Sequence, residues 1–312
     1  MSDLSPNRSW EELIPDALGL IFSNLPLQEI LTVVTGVCKS WNRAVAGPHC
    51  WQQIDLEEWS RRAEPEQINR MVQLLVRRSC GSFQRLAVSS IPDDSLFSFI
   101  AEHGGSLLSL EVPRSEMSDA VVEQVAGRLS AITFLDISSC KKIGARALRA
   151  FGKHCKSLAG LRRTMHPLEV LEDVSQDEEA LAIALGMPKL RHLELAYLRI
   201  TTQGVMEILS HCPELEFLDI RGCWDVKLDE EWMMKKRNVG LKVLGPTIVD
   251  SYGCQYCEGC SDSSDYSWES MDDDEGGIME DDYGDEGEQL QVRFYGGGFN
   301  EAYSGFDWLS SP

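Results

Sequence analysis

The side chains best suited by type to covalent or metal chemistry are histidines and cysteines. His154 and Cys155 are adjacent, as are His211 and Cys212. Cys80 and His103 stand alone, and Cys254, Cys257 and Cys260 form a CQYCEGC run. A cysteine beside a histidine suggests a thiolate generated by an imidazole base. Two C-x-x-C spacings suggest structural zinc, which needs four ligands. The offsets argue against the first chemistry. Cys80, Cys155 and Cys212 each lie three residues before the apolar opening of a Leu-x-x-Leu-x-Leu/Ile/Val segment, and His103, His154 and His211 lie four before one. A nucleophile or a metal requires convergence at one place, whereas a recurring offset marks a structural slot where helix gives way to strand. Cys140 and Cys223 share a second slot, just after a strand. No second cluster follows CQYCEGC, so free thiols are the simpler reading there. The expectation is therefore no catalytic residue, no metal site and no cofactor.

The elements that generate those slots form a repeat. The leucine-type segments open at Phe83, Leu107, Ile132, Leu158, Leu190, Leu215 and Leu241, at gaps of 24, 25, 26, 32, 25 and 26 residues. A fixed period in this range predicts a solenoid, in which each unit buries its apolar face against its neighbours. Within a unit such as 132–158, Ile132, Leu135 and Ile137 alternate as a strand does, and Ala147, Leu148 and Phe151 have helical spacing. The 32-residue unit is irregular. Arg163 occupies a position that is Val88, Val112, Ile137, Leu195 or Ile220 elsewhere, and burying it unpaired would be costly. Three explanations stand: the strand is disrupted at His166-Pro167, the unit bulges outward to contact something, or the insertion is a tolerated surface loop. Side chains between the inward positions should line the concave face. Phe134, Arg162, His192 and Phe217, together with Arg163 from the irregular unit, are the candidate target-binding residues, because aromatic and arginine anchors are typical of recognition faces. Lateral packing between neighbouring strands is the plainer alternative for the aromatics.

Ahead of the repeats, Leu18, Ile21, Phe22 and Leu25 lie at helical spacing, as do Leu27, Ile30, Leu31 and Val34, then Val37, Cys38, Trp41 and Val45. Pro26 and Gly36 separate these stripes, so three short helices are expected. Leu13, Ile14, Leu20 and Val33 fall off the stripes. The apolar arc is thus wider than one small core needs, and the surplus should dock on the solenoid or face a partner.

These residues carry a resemblance. The pattern made by Leu13, Pro15, Leu18, Ile21, Phe22, Leu25, Pro26, Ile30, Leu31, Val37, Cys38, Lys39, Trp41 and Trp51 resembles the F-box. The following units resemble the cysteine-containing class of leucine-rich repeat, and the whole looks like the small plant F-box/leucine-rich-repeat proteins. The resemblance implies an α/β chain: an N-terminal three-helix F-box, then a short leucine-rich-repeat solenoid with parallel strands on the concave face and helices on the convex face. It further implies that Leu13, Pro15, Leu18, Ile21, Phe22, Leu25, Pro26, Leu31, Val37, Cys38 and Trp41 contact a Skp adaptor. Through that adaptor the chain would join cullin and RING subunits as the non-catalytic, substrate-binding subunit of a ubiquitin ligase acting on an unidentified protein. A non-degradative F-box scaffold or binding protein is the alternative. Some plant F-box proteins of this look have carried a WD label, but Trp224-Asp225 occurs once, inside a leucine-rich unit, and a propeller needs its signature in every blade.

The expected organisation is disorder over 1–9, the F-box over 10–56, about seven repeats over 57–248 and an acidic, largely disordered tail over 249–312. The net charge is −21, and residues 250–290 hold 15 Asp or Glu and no Lys or Arg, while the preceding 249 residues hold 33 acids and 28 bases. That balance argues against nucleic-acid binding. No stretch reaches the 18 or so apolar residues a membrane span requires, and 1–10 lack an apolar signal core, so a cytoplasmic or nuclear place is expected. Ser270, ahead of Met271-Asp272-Asp273, fits an acidophilic kinase. The aromatic stretch with Phe294, Tyr295, Phe299, Phe306 and Trp308 would cap the last repeat or serve as a partner-binding peptide.

Overall fold

The computed structural model describes residues 13–166, 175–228 and 240–246. The expectations placed on 1–9, on CQYCEGC, on Ser270 and on the acidic and aromatic tail lie outside these residues.

Helix α1 (Pro15–Phe22) starts at a proline, whose missing N–H is lost cheaply in a first turn, with Asp16 favourable beside it. Helix α2 spans 27–37 as an α turn (Leu27–Glu29), a π segment (Ile30–Val34) and a last α turn (Thr35–Val37). Helix α3 (Lys39–Ala46) and a 3-10 turn (Pro48–Trp51) complete the expected trio. Leu18 and Phe22 from α1, Ile30 and Val34 from α2, and Ala44 and Val45 from α3 form its core. The Phe22 and Trp41 rings meet at 4.9 Å.

Strand β1 (Gln53–Asp55) follows Trp51 after a single residue and pairs in parallel with β2 (Arg85–Ala87). The span expected to be purely F-box therefore already contains the first strand of the sheet. Trp51 is the joint: its indole N–H donates to the Val45 carbonyl at 2.8 Å, and the Arg78 guanidinium lies 5.8 Å from its ring centroid. Between these strands run α4 (Glu57–Ser60) and α5 (Pro65–Arg78), the latter opened by a Glu64/Gln67 capping box.

The remaining units alternate strand and helix: α6 (Asp94–His103), β3 (Ser109–Glu111), α7 (Asp119–Val125), β4 (Phe134–Asp136), α8 (Ala145–His154), β5 (Gly160–Arg162), α9 (Asp177–Gly186), β6 (His192–Glu194), α10 (Thr202–His211), β7 (Phe217–Asp219) and β8 (Lys242–Leu244). The eight strands form one parallel sheet in sequence order, with every neighbouring pair in register. The middle residue of each strand, Ile54, Leu86, Leu110, Leu135, Leu161, Leu193, Leu218 or Val243, is buried, and from β2 on the leucine period demands it. Acidic residues at helix starts tie successive units together. Asp94 accepts from the Ser118 hydroxyl and amide, Asp119 from the Gly144 amide, and Asp177 from the Thr201 hydroxyl and amide.

Where the irregular unit is described its strand is intact; Pro167 and the rest of the inserted stretch, 167–174, on which the expected disruption and outward bulge fall, lie outside the described residues. Strand β5 keeps its register, and Arg163 points inward at 1% exposure. Its Nε donates to Glu179 Oε2 at 3.1 Å and one terminal nitrogen donates to the Ile143 carbonyl at 2.8 Å. A buried counter-charge on α9 is what makes an arginine tolerable in a leucine slot.

Candidate functional site

The cysteine and histidine slots are structural. Cys155 Sγ donates to the Leu129 carbonyl and Cys212 Sγ to the Met187 carbonyl, each in the preceding unit. Cys140 and Cys223 do the same to Val112 and Leu195. Burial pushes the thiols of Cys140, Cys155 and Cys212 up to about 11 and that of Cys223 to about 12, the opposite of an activated nucleophile. Cys80 departs from its slot-mates by being exposed. Ring nitrogens of His103 and His211 bond the carbonyls of Phe99 and Glu207 at 2.9 Å, capping their own helices. Among the described residues no group of three or more His, Cys, Asp or Glu is placed to hold a metal ion. No helix among them is long and apolar enough to cross a membrane.

Two surfaces among the described residues bear the residues expected to bind partners. The first is on the helical trio. Of the residues expected to meet an adaptor, Leu18 and Phe22 are wholly occupied inside the chain, because i, i+4 on α1 is its inward stripe. Trp41 and Leu31 are half-buried, as is Cys38, while Leu13, Pro15, Ile21, Leu25, Pro26 and Val37 are exposed. The off-stripe residues complete the surface: Ile14 is 65% exposed, Val33 60% and Leu20 52%. Seven large aliphatics, Leu13, Ile14, Leu20, Ile21, Leu25, Val33 and Val37, thus face solvent within 25 residues of chain. Ile14, Leu20 and Val33 lie off the helical stripes in sequence and outside the F-box pattern, yet they belong to this surface. An apolar concentration of this kind marks an interaction surface. The indole N–H of Trp41 beneath it has no hydrogen-bond partner among the described residues.

The second surface is the sheet face turned away from the helices. In-register pairing sorts its side chains into two rows. One row reads Gln53, Arg85, Ser109, Phe134, Gly160, His192, Phe217 and Lys242; the other reads Asp55, Ala87, Glu111, Asp136, Arg162, Glu194, Asp219 and Leu244. In the first row the His192 and Phe217 rings stack at 4.4 Å and 5°, with Lys242 Nζ 5.6 Å from the Phe217 centroid. The Phe134 ring lies across Gly160, where a Cβ would come within 2.5 Å of it, and Arg162 sits 5.7 Å from the ring centroid. The second row is mainly carboxylates bridged by arginines. Arg85 reaches Asp55 and Glu111, both at 2.8 Å. Arg162 reaches Glu194 at 2.8 Å and Asp136 at 3.1 Å, and Arg221 reaches Asp219 at 2.6 Å. Burial lifts the Asp136 carboxyl above its usual range despite hydrogen bonds from Ser138 and Arg162. At Glu194 burial pushes the same way, but Arg162 and His192 outweigh it and hold the carboxyl below its usual range. The structure therefore brings Phe134, Arg162, His192 and Phe217 onto one face and removes Arg163 from it. Trp224 is 68% exposed in the turn after β7, and the strands among the described residues form a single parallel sheet, not propeller blades.

A family model described as F-box-like matches residues 8–57. The Arabidopsis thaliana F-box protein FBW2 is 54% identical over 287 residues, covering 89% of this chain and 89% of its own. From the same organism, F-box protein SKIP19 is 30% identical over 87% of this chain and 89% of its own. Putative F-box/LRR-repeat protein 23 is 32% identical over 74% of this chain and 51% of its own.

Proposed function

This chain belongs to the plant F-box proteins, and on that footing we propose that it is the target-binding subunit of a Skp–cullin–F-box ubiquitin ligase. Its part is non-catalytic. The apolar surface formed by Leu13, Ile14, Leu20, Ile21, Leu25, Val33 and Val37, with Pro15, Pro26, Leu31, Cys38 and Trp41 around it, docks a Skp adaptor. The observation that carries this reading is the division of the F-box into an inward stripe that closes its core and a separate stripe left in water. Covering that second stripe supplies the hydrophobic driving force for association.

The open sheet face holds the target protein, with the His192–Phe217 stack and the Phe134–Arg162 pair as anchors. Its arginines are already committed to carboxylates, so it offers aromatic and carboxylate contacts rather than an arginine cluster for phosphate. The chemical contribution is proximity: tethering raises the effective concentration of the target's lysines near the conjugating enzyme.

Capture by purified Skp adaptor tests the reading. Ile21→Asp/Val33→Asp places two charges on exposed positions and should weaken capture at least about 100-fold while leaving the melting temperature unchanged. Undiminished capture of that variant would remove the basis of the assignment.

A further inference from the structure

On the helical side of the solenoid, we infer a docking groove between α8 and α9 for an acidic peptide that carries one bulky apolar residue. The groove exists because Gly152 and Gly186 let two helix backbones approach. A Cβ on Gly152 would lie 2.7 Å from the Gly186 Cα. The result is a cavity of about 340 Å³ that continues into a second of about 170 Å³, both lined by Lys156, Leu185 and Gly186. Leu181 and Leu185 project into solvent along it, at 41% and 64% exposure. Outward-facing leucines on a helix whose inner face is already packed are unusual enough to mark an interaction surface.

The rim supplies the chemistry of the occupant. Along the helical side, bases are answered by carboxylates of neighbouring units: Arg128 by Glu102, Arg146 by Glu123, Arg149 by Glu178 and Arg191 by Glu214. Arg149 on the groove's rim keeps its Glu178 partner, but the groove's lysines depart from that rule. Lys153, Lys156 and Lys189 have no carboxylate within ion-pairing distance among the described residues; Lys156 turns its ammonium onto the Gly152 carbonyl at 2.6 Å instead. Three ammonium groups left over an apolar floor, in a chain of net charge −21, complement an anionic ligand with an apolar anchor. The carboxylates of such a peptide take the lysines, and its anchor enters between Leu181 and Leu185. This site shares no residue with the F-box surface or the open sheet face, so it stands or falls independently of adaptor capture.

The probe is a fluorescein-labelled peptide of Asp and Glu flanking a single Phe, titrated into the full chain by fluorescence anisotropy. Its counterpart has Asn and Gln in place of the acids. The acidic peptide should bind and the neutral one should not, and binding should weaken steeply with salt. Lys153→Glu/Lys189→Glu should lower affinity about tenfold, and Leu185→Ala several-fold, with unchanged melting curves. Carbodiimide coupling of the acidic peptide to wild-type chain should yield adducts at Lys153, Lys156 or Lys189, a readout that does not depend on any variant folding. Absence of binding to wild type, equal binding of the neutral peptide, full affinity in the charge-reversed variant or adducts confined to other lysines would each overturn the assignment.

Discussion

Replacing Glu179 by alanine takes away the counter-charge of an arginine that water cannot reach. The Arg163 and Glu179 side chains are 2% and 9% exposed and meet at 3.1 Å. Without the carboxylate, the guanidinium keeps the Ile143 carbonyl and the Met165 sulfur but loses the group that neutralises it. Removing one member of a buried pair costs about 3–5 kcal/mol, because the other charge stays desolvated. In a domain of this size each kcal/mol moves the midpoint by roughly 2–4 °C, so Glu179→Ala should lower Tm by about 6–20 °C. Arg163→Leu restores the residue type found in the other units and should cost less, since Gln176 still donates to Glu179 at 3.1 Å. The double variant Arg163→Leu/Glu179→Ala should be no less stable than Glu179→Ala alone, since no charge is then left buried without its partner. Urea unfolding of the four proteins completes the cycle. If Glu179→Ala is as stable as the parent, or if the double variant is the sum of the two singles, the pair is not what holds Arg163 in the leucine slot.

Four further perturbations probe the slots and the sheet face. Cys140, Cys155, Cys212 and Cys223 should resist iodoacetamide at pH 8 in the folded chain, while exposed Cys80 is modified, as mass mapping would show. Because burial holds these thiols protonated to about 11 or 12 when folded, against an ordinary value of 9.0, the folded state keeps protons that the unfolded state releases. Stability should therefore fall as pH rises from about 9 towards 11, measured by urea midpoints across that range. Gly222 has φ +71°, and a Cβ there would overlap the Tyr197 ring, so Gly222→Ala should cost about 2 kcal/mol or more in the same assay. Phe217→Ala removes the stack with His192 and the Lys242 contact; it should abolish enrichment of the target under proteasome inhibition while adaptor capture persists.

Much of this architecture was written in apolar spacing. The leucine segments gave seven strands because each strand needs only one inward aliphatic and the period supplied it. Strand β1 escaped for the converse reason. Gln53-Ile54-Asp55 offers a single inward residue, Ile54, and no copy in an earlier unit against which to count it. Helical spacing located the three F-box helices, yet resemblance to the F-box pattern mixed two stripes. Leu18 and Phe22 turn inward, whereas the residues noted as off-stripe, Ile14, Leu20 and Val33, make the outer surface. Arg163 could not be resolved from sequence because its partner, Glu179, lies 16 residues away on another element. The carboxylate and arginine bridges across the sheet were equally hidden, since they depend on register between strands 26–32 residues apart.

The joint at Trp51 has a mechanical corollary. With one residue between the 3-10 turn and β1, and β1 hydrogen-bonded into the sheet, the F-box helices and the strands form a ruler rather than a leash. A leash would let a bound protein sweep many of its lysines past a fixed active centre. A ruler samples few, so under the proposed function the orientation in which a target is gripped, more than the tightness of the grip, would select which lysine is modified.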